Sequence, residues 1–345
     1  QTRIATSDSY SGFWILLMYL FMVRYLQMHW HSRRDLGRSL IPLGLCGVTM
    51  GIAWATKWIG LYASAGLAVL FFWSLYRRFR EYRLACAHLK DRNREIAVLC
   101  SETAQNFWRS LWITIGFCLV FFVAIPVVIY YFSYFWHLRG LNGQNGIYVR
   151  TFADMFSLDC VREVANQQLR MLNYHAGLSG DTHFFRSPWY QWPIIWWPMW
   201  YYTGTAYLPD SSMISSISCM GNPAVWWFGL VALLFVLVRA CIVRRAPKTY
   251  LIVLISFASQ FLPWVLVPRS TFIYHYFASV PFIIIASVLM LDWIRTKSVA
   301  AFKTTALILM AAALILFIAF YPLESGLPVA RSYANYLRWF AWINF

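Results

Sequence analysis

Eight long apolar runs decide what this chain can fold into. They occupy residues 11–30, 40–54, 58–76, 109–131, 222–243, 249–267, 271–291 and 304–321. As one helix, residues 40–76 would reach about 55 Å at 1.5 Å per residue, against a hydrocarbon core of roughly 30 Å. That stretch therefore reads as two spans with a break near Lys57 to Gly60. With 60% hydrophobic and only 12% charged residues, a soluble domain could not cover its own surface. The expected fold class is an all-α polytopic membrane protein with eight spans.

Charge then sets the orientation. The formal net charge is +16, and most basic residues sit in the links 31–39, 77–109, 239–248 and 292–303. Arg77, Arg78, Arg80, Arg244, Arg245 and Lys248 are examples. All four links fall on one side of an eight-span chain. The long loop 132–221 falls on the other side, where five arginines balance five acidic residues. This positive-inside asymmetry makes the basic links cytoplasmic and the opening stretch external. Nucleic-acid binding needs a continuous basic face, and here the charge is distributed link by link.

Three regions follow. Residues 1–131 carry membrane helices and a cytoplasmic link, 77–108, expected as a solvated helix pair. Residues 132–221 form an external loop. In it, 151–172 place Phe152, Met155, Phe156, Val161 and Val164 at helix-face spacing, as in a helix lying at the interface. Residues 222–345 form a membrane region of the four-span type, ending in an external tail whose Tyr336, Trp339, Phe340 and Trp342 suit the headgroup zone. Cys160 and Cys219 share the external loop, open to either a disulfide or two free thiols. The chain starts with Gln1 on the external side without a charged leader, which reads as a C-terminal fragment.

Three polar features need explaining. The first is "NYHAGLSGDTHFFRSPWYQWP", residues 173–193. Trp196, Trp197, Trp200 and Tyr201 just beyond it read as interfacial anchors. Asn173, His175, Asp181, His183 and Arg186 do not, since an anchor has no use for paired histidines. A metal on His175, Asp181 and His183 lacks helical His spacing or a Cys partner, so no metal or cofactor is expected. The second is "PWVLVPRSTFIYHYFASVPF", residues 263–282. Ser270 or Thr271 is placed to cap the next helix, so that its N-terminus and Arg269 would seat an anion, with Tyr274, His275 and Tyr276 in the first turns. The third is Lys57, which either snorkels to the surface or pairs with a phosphate. Cations beside aromatics at a membrane surface suit a lipid-phosphate sugar.

These stretches, with "QTRIATSD", "GIAWATKWIGLY" and "GNPAVWWFG", closely resemble protein O-mannosyltransferases that use dolichyl- or polyprenyl-phosphate mannose. The resemblance implies the C-type glycosyltransferase membrane fold, with about eight of about eleven spans present. It also implies inverting transfer of mannose to Ser or Thr hydroxyls of secreted or membrane proteins. Lys57, with Arg269, would hold the donor phosphate. Asn173, His175, His183, Trp189, Trp192, Tyr274 and His275 would surround the sugar or acceptor. The catalytic carboxylate of the family lies on an earlier external loop, so no catalytic residue is expected here and the chain alone should be inactive. Loop 132–221 is too short for the eukaryotic β-trefoil insert, and there is no Asn-x-Ser/Thr sequon. A prokaryotic member at the plasma membrane, active on its external face, is the expectation. The alternatives are another lipid-phosphate-sugar transferase of the same fold, or a transporter. The transporter reading suffers because the apolar spans contain no Asp or Glu.

Overall fold

The computed structural model describes residues 6–89, 94–141, 143, 146–177, 183–204, 208, 210–244 and 246–343. Eight helices among them are long and apolar enough to cross a membrane. The chain divides into two compact units: Tyr10–Tyr174, and Gln1–Ser9 with His175–Phe345.

The first unit begins with α1 (Asp8–Gln27) and α2 (Arg33–Thr56), the latter capped where Ser32 Oγ accepts from Asp35 N at 3.1 Å. α3 spans Ile59–Ala87. The break between α2 and α3 falls where the apolar length demanded it: Lys57 is extended (φ −164°, ψ 141°) and its carbonyl accepts from Gly60 N at 3.0 Å. α3 does not stop with its apolar run near residue 76. No Gly or Pro interrupts 67–87, so the helix continues into water, and α4 (Arg94–Leu119) leads the chain back. One arginine of this basic link is buried rather than solvated. Arg78 is buried, with its guanidinium 4.5 Å from the Tyr25 ring and 4.3 Å from the Trp30 ring, donating to Tyr25 Oη at 2.6 Å.

The fourth span has a π turn over Val120–Ala124 before α5 (Ile125–Ser133) and α6 (Phe135–Gly140). Pro126 has no N–H for the carbonyl four residues back and crowds it. The helix widens instead, and Ile125 N bonds to Val120 O. Gly47 of α2 packs on this turn so closely that a Cβ there would lie 2.0 Å from Phe121 O.

The expected interface helix 151–172 is divided. A 3₁₀ turn, Phe152–Phe156, comes first, and after extended Ser157 comes α7 (Leu158–Gly177). Met155 and Val164 enter a small core with Phe135 and Leu138, while Phe152, Phe156 and Val161 stay exposed. Asp154 fixes the turn, accepting from Thr151 N and Arg150 N at 2.7 and 2.8 Å. Those bonds hold its carboxyl below the usual carboxylate range.

In the second unit α8 (Pro223–Ile242), α9 (Lys248–Phe261), α10 (Val280–Lys297) and α11 (Val299–Ser325) supply the remaining spans. Asn222 caps α8 and its Nδ2 reaches Ala313 O on α11 at 2.8 Å. The last span runs past residue 321, so Glu324 lies in α11 rather than in a tail. Two short sheets form outside the spans. β1 (Met199–Thr203) pairs antiparallel with β3 (Ser216–Cys219), and β2 (Met213–Ile214) with β4 (Val329–Ala330). The tail, including α12 (Arg331–Tyr336), folds back. Trp339 Nε1 donates to Ile195 O at 3.3 Å and Trp342 Nε1 to Trp196 O at 3.2 Å. Neither Cys160 nor Cys219 is in a disulfide.

Candidate functional site

The site is built where loop 183–197 meets 264–275, both within the second unit. Ser187 and Thr271 join them: Ser187 N donates to Thr271 O at 2.8 Å, and Thr271 Oγ1 donates to Ser187 O at 2.8 Å. Trp192 locks the same point, its Nε1 3.1 Å from both Ser187 O and Oγ. These groups are buried, so each bond also satisfies a donor or acceptor that would otherwise be costly.

Around this joint opens a cleft of about 620 Å³. Its walls include Trp189, Trp196 and Trp197 from the loop and Thr271 from the facing segment. Both charged side chains that line it are arginines, Arg186 and Arg269, one from each segment. Paired guanidiniums beside indole faces can hold a phosphate bidentately while a sugar stacks on a ring. Just past the 3₁₀ turn Trp189–Ile194, Ile195 takes φ 54°, a rare conformation for a β-branched residue. The tail's Trp339 bond to its carbonyl helps hold it there. Such positions cluster where a loop is held in a shape that function requires.

The residues singled out from sequence separate into groups. Arg269 and Trp189 line the cleft. His175 lies within the field of Arg269: burial, and then that charge, hold its imidazole below the ordinary histidine range. His183 packs edge-on against Phe272 at 5.1 Å and accepts from Phe185 N at 3.2 Å through Nδ1.

Trp192 and His275 stand behind the wall. They are 0% and 3% exposed and their rings lie 5.9 Å apart. Tyr274 lines a different cavity, stacked 6.2 Å from Tyr201. Asn173 is exposed on α7 in the first unit.

The expected cap at Ser270 or Thr271 is corrected. The helix starts as a 3₁₀ turn, Ile273–Ser279, capped at Phe272, and His275 Nδ1 accepts from Phe272 N at 3.1 Å. Thr271 is engaged with Ser187 instead. The imidazole thus occupies one backbone N–H at the start of that turn, and the side-chain charge lining the cleft comes from the two arginines.

Lys57 belongs to the first unit, half-buried at the end of α2. Its neighbour Trp58 donates from Nε1 to Tyr130 Oη at 2.8 Å. Tyr130 donates to Gln168 Oε1 at 2.7 Å, and Gln168 Nε2 to Tyr134 Oη at 2.9 Å. This chain ties the Lys57 turn to α7. Sequence reasoning missed it; the only signal was Tyr130 and Tyr134 at helical spacing near the end of a span. Arg186 stands out in the sequence for its polarity but carries no role there, because nothing local shows that it faces Arg269's segment. Among the described residues no three His, Cys, Asp or Glu are placed to hold a metal ion. Asp181, one of the metal candidates, lies outside those residues.

Residues 160–342 match the family model described as the C-terminal four TMM region of protein-O-mannosyltransferase. Residues 1–142 match that of dolichyl-phosphate-mannose-protein mannosyltransferase. The chain is similar to the polyprenol-phosphate-mannose–protein mannosyltransferase of Mycolicibacterium smegmatis, 26% identical over 311 residues. It is equally similar to that of Corynebacterium glutamicum, 26% identical over 324 residues. Each alignment covers 85% of this chain and 56% of the relative, so the chain spans little more than half their length. The fold is similar to that of the Saccharomyces cerevisiae protein O-mannosyltransferase Pmt1-Pmt2 complex bound to the sugar donor. The TM-score is 0.65 at 10% identity, covering 98% of this chain and 80% of that one. This multi-pass membrane protein, matched over more than half its length by one family model and over its opening part by another, belongs to the protein O-mannosyltransferase family.

Proposed function

We propose that the full-length protein transfers mannose from a polyprenyl-phosphate mannose to Ser or Thr hydroxyls of translocated proteins. The observation that carries this reading is the cleft in which Arg186 and Arg269 share the walls with four tryptophans, Trp189, Trp196, Trp197 and Trp264. Relatives named for this activity support it.

The acceptor oxygen attacks the anomeric carbon as the bond from that carbon to the phosphate oxygen breaks. The phosphate leaves with the electron pair, and the hydroxyl proton passes to a carboxylate base. That base is expected on an earlier external loop, as the family resemblance implies. Arg269, with Lys57, stabilises the negative charge that grows on the departing phosphate. Tryptophan faces of the cleft orient the sugar. Asn173, His175 and His183 complete the sugar and acceptor surroundings, while Trp192 and His275 keep the cleft in shape from behind. Tyr274 bounds the acceptor side. The reaction takes place on the external face of the plasma membrane, opposite the basic links.

The test is transfer by the purified full-length protein in vesicles supplied with polyprenyl-phosphate mannose. Mannose should appear on a Ser/Thr peptide and not on a lipid acceptor. Transfer to the lipid alone would assign the fold's other chemistry, and transfer to neither would remove the proposal.

A further inference from the structure

A second cavity, of about 310 Å³, lies wholly within the unit of His175–Phe345. Three features of the chain shape it. The pairing of β1 with β3 shifts register between Trp200 and Tyr202, so Tyr201 sits at a bulge. Bulges re-aim side chains, and that of Tyr201 lines the cavity. Gly326, at φ 79°, ends α11 just past Glu324, whose side chain lines the same space. Ser218 on β3 is 6% exposed, and among the described residues its Oγ has no hydrogen-bond partner although it too borders the cavity.

Among the described residues Glu324 is the only charged one in the lining, and no basic side chain lines the cavity. The rings of Tyr201, Trp226, Tyr274, Phe317 and Tyr321 make up much of the rest. A carboxylate in such a place is costly until a cation or a proton meets it. Aromatic faces are negative and attract compact organic cations. A single carboxylate is too few charged oxygens for a calcium-type ion, and it repels the phosphate that the two-arginine cleft would hold.

We propose that this cavity binds an ammonium group, either the amine headgroup of a lipid or a small free amine. Glu324 supplies the counter-charge, Ser218 Oγ accepts from the ammonium, and the rings form the walls. Phe317 and Tyr321 are about two turns and one turn before the end of the last span and keep exposed surface. That places the cavity at headgroup depth, within reach of a lipid amine. Apart from the shared wall residue Tyr274, mannosyl transfer as proposed draws on nothing in this cavity, and none of the variants below changes Tyr274, so the two proposals are tested separately.

The experiment uses the full-length protein in phosphatidylglycerol nanodiscs. Calorimetric titration with ethanolamine is compared with ethylene glycol, its neutral counterpart of similar size. Ethanolamine should bind saturably and ethylene glycol should not. Glu324→Gln should weaken ethanolamine at least tenfold, and Ser218→Ala several-fold. If Glu324→Gln does not fold, Phe317→Leu, which removes one ring face, should still weaken the amine several-fold. Native mass spectrometry from mixed vesicles separates the sources. Phosphatidylethanolamine retained by the wild type and lost from the variants identifies a lipid headgroup. Ethanolamine binding without lipid retention identifies a free amine. Equal binding of ethanolamine and ethylene glycol, binding of neither, or amine binding unchanged by the folded variants overturns the proposal.

Discussion

Arg269 acts on more than the cleft it lines. Together with burial, its charge keeps His175 neutral near pH 7, so the histidine contributes hydrogen bonding rather than a competing positive charge. Its titration midpoint should therefore lie below 6.5, read by NMR of histidine-labelled protein. The sign of the linked effect follows. Between the lowered folded midpoint and 6.5 the unfolded chain holds the extra proton, so stability rises with pH across that window. It is fully present above 6.5 and lost as pH falls. Arg269→Gln should move the midpoint only part of the way back, because burial, the larger cause, remains. A midpoint at or above 6.5 in the wild type would contradict this placement of His175. At this scale the sequence showed which residues were unusual but not what they touch. Thr271 looks like a helix cap because its hydroxyl stands where a helix is expected to begin. Its actual partner, Ser187, is 84 residues away, and no local pattern encodes such a bond. Trp192 and His275 were legible as special, yet their burial behind the cleft wall depends on packing between distant segments.

Among the elements, the contact between α2 and the π turn is sensitive to a single carbon. Gly47→Ala would put a Cβ 2.0 Å from Phe121 O, and backbone cannot yield as a side chain does. The expected loss is about 1–3 kcal/mol, read as a lower unfolding temperature in detergent. A Cβ added at Gly37, on the same helix, would meet nothing within 4 Å. Gly37→Ala should leave stability unchanged or raise it by roughly 0.5–1 kcal/mol, the helix cost of glycine. Equal effects of the two changes would mean that α2 does not pack on the turn through Gly47. The spans themselves were readable because an apolar run of membrane length has few alternatives. The α2–α3 break was readable by arithmetic on length. The run of α3 to Ala87 was not, since hydropathy reports where lipid ends and not where a helix ends. Arg78 reads as a solvated charge in the sequence because cation–π burial against Tyr25 and Trp30 leaves no mark in its own neighbourhood. The short strands escape notice for a similar reason: 199–203 looks like an aromatic anchor, and its partner 216–219 is separated by a loop.

For the whole molecule, the proposed activity and the orientation are linked, because protein mannosylation as proposed would require the cleft to face the side where acceptor proteins emerge. On a background without the seven native cysteines, Gly177→Cys should react with an impermeant thiol reagent added to intact cells, and Leu89→Cys should not. Labelling at position 89 from outside would reverse the orientation drawn from the basic links. The central proposal is that Arg269 and Lys57 each contact the donor phosphate. It is tested most directly by mannosyl transfer at several donor concentrations in the full-length protein, with a thermal-stability check on each variant. Losing a hydrogen bond to a charged phosphate costs about 1.5–3 kcal/mol, or roughly ten- to a hundredfold in donor affinity or rate. Arg269→Gln and Lys57→Met should each show a loss of that size. Lys57→Arg should recover only part, because a guanidinium fork does not reproduce a compact ammonium. Folded Arg269→Gln and Lys57→Met proteins that transfer mannose normally at low donor concentration would contradict the account.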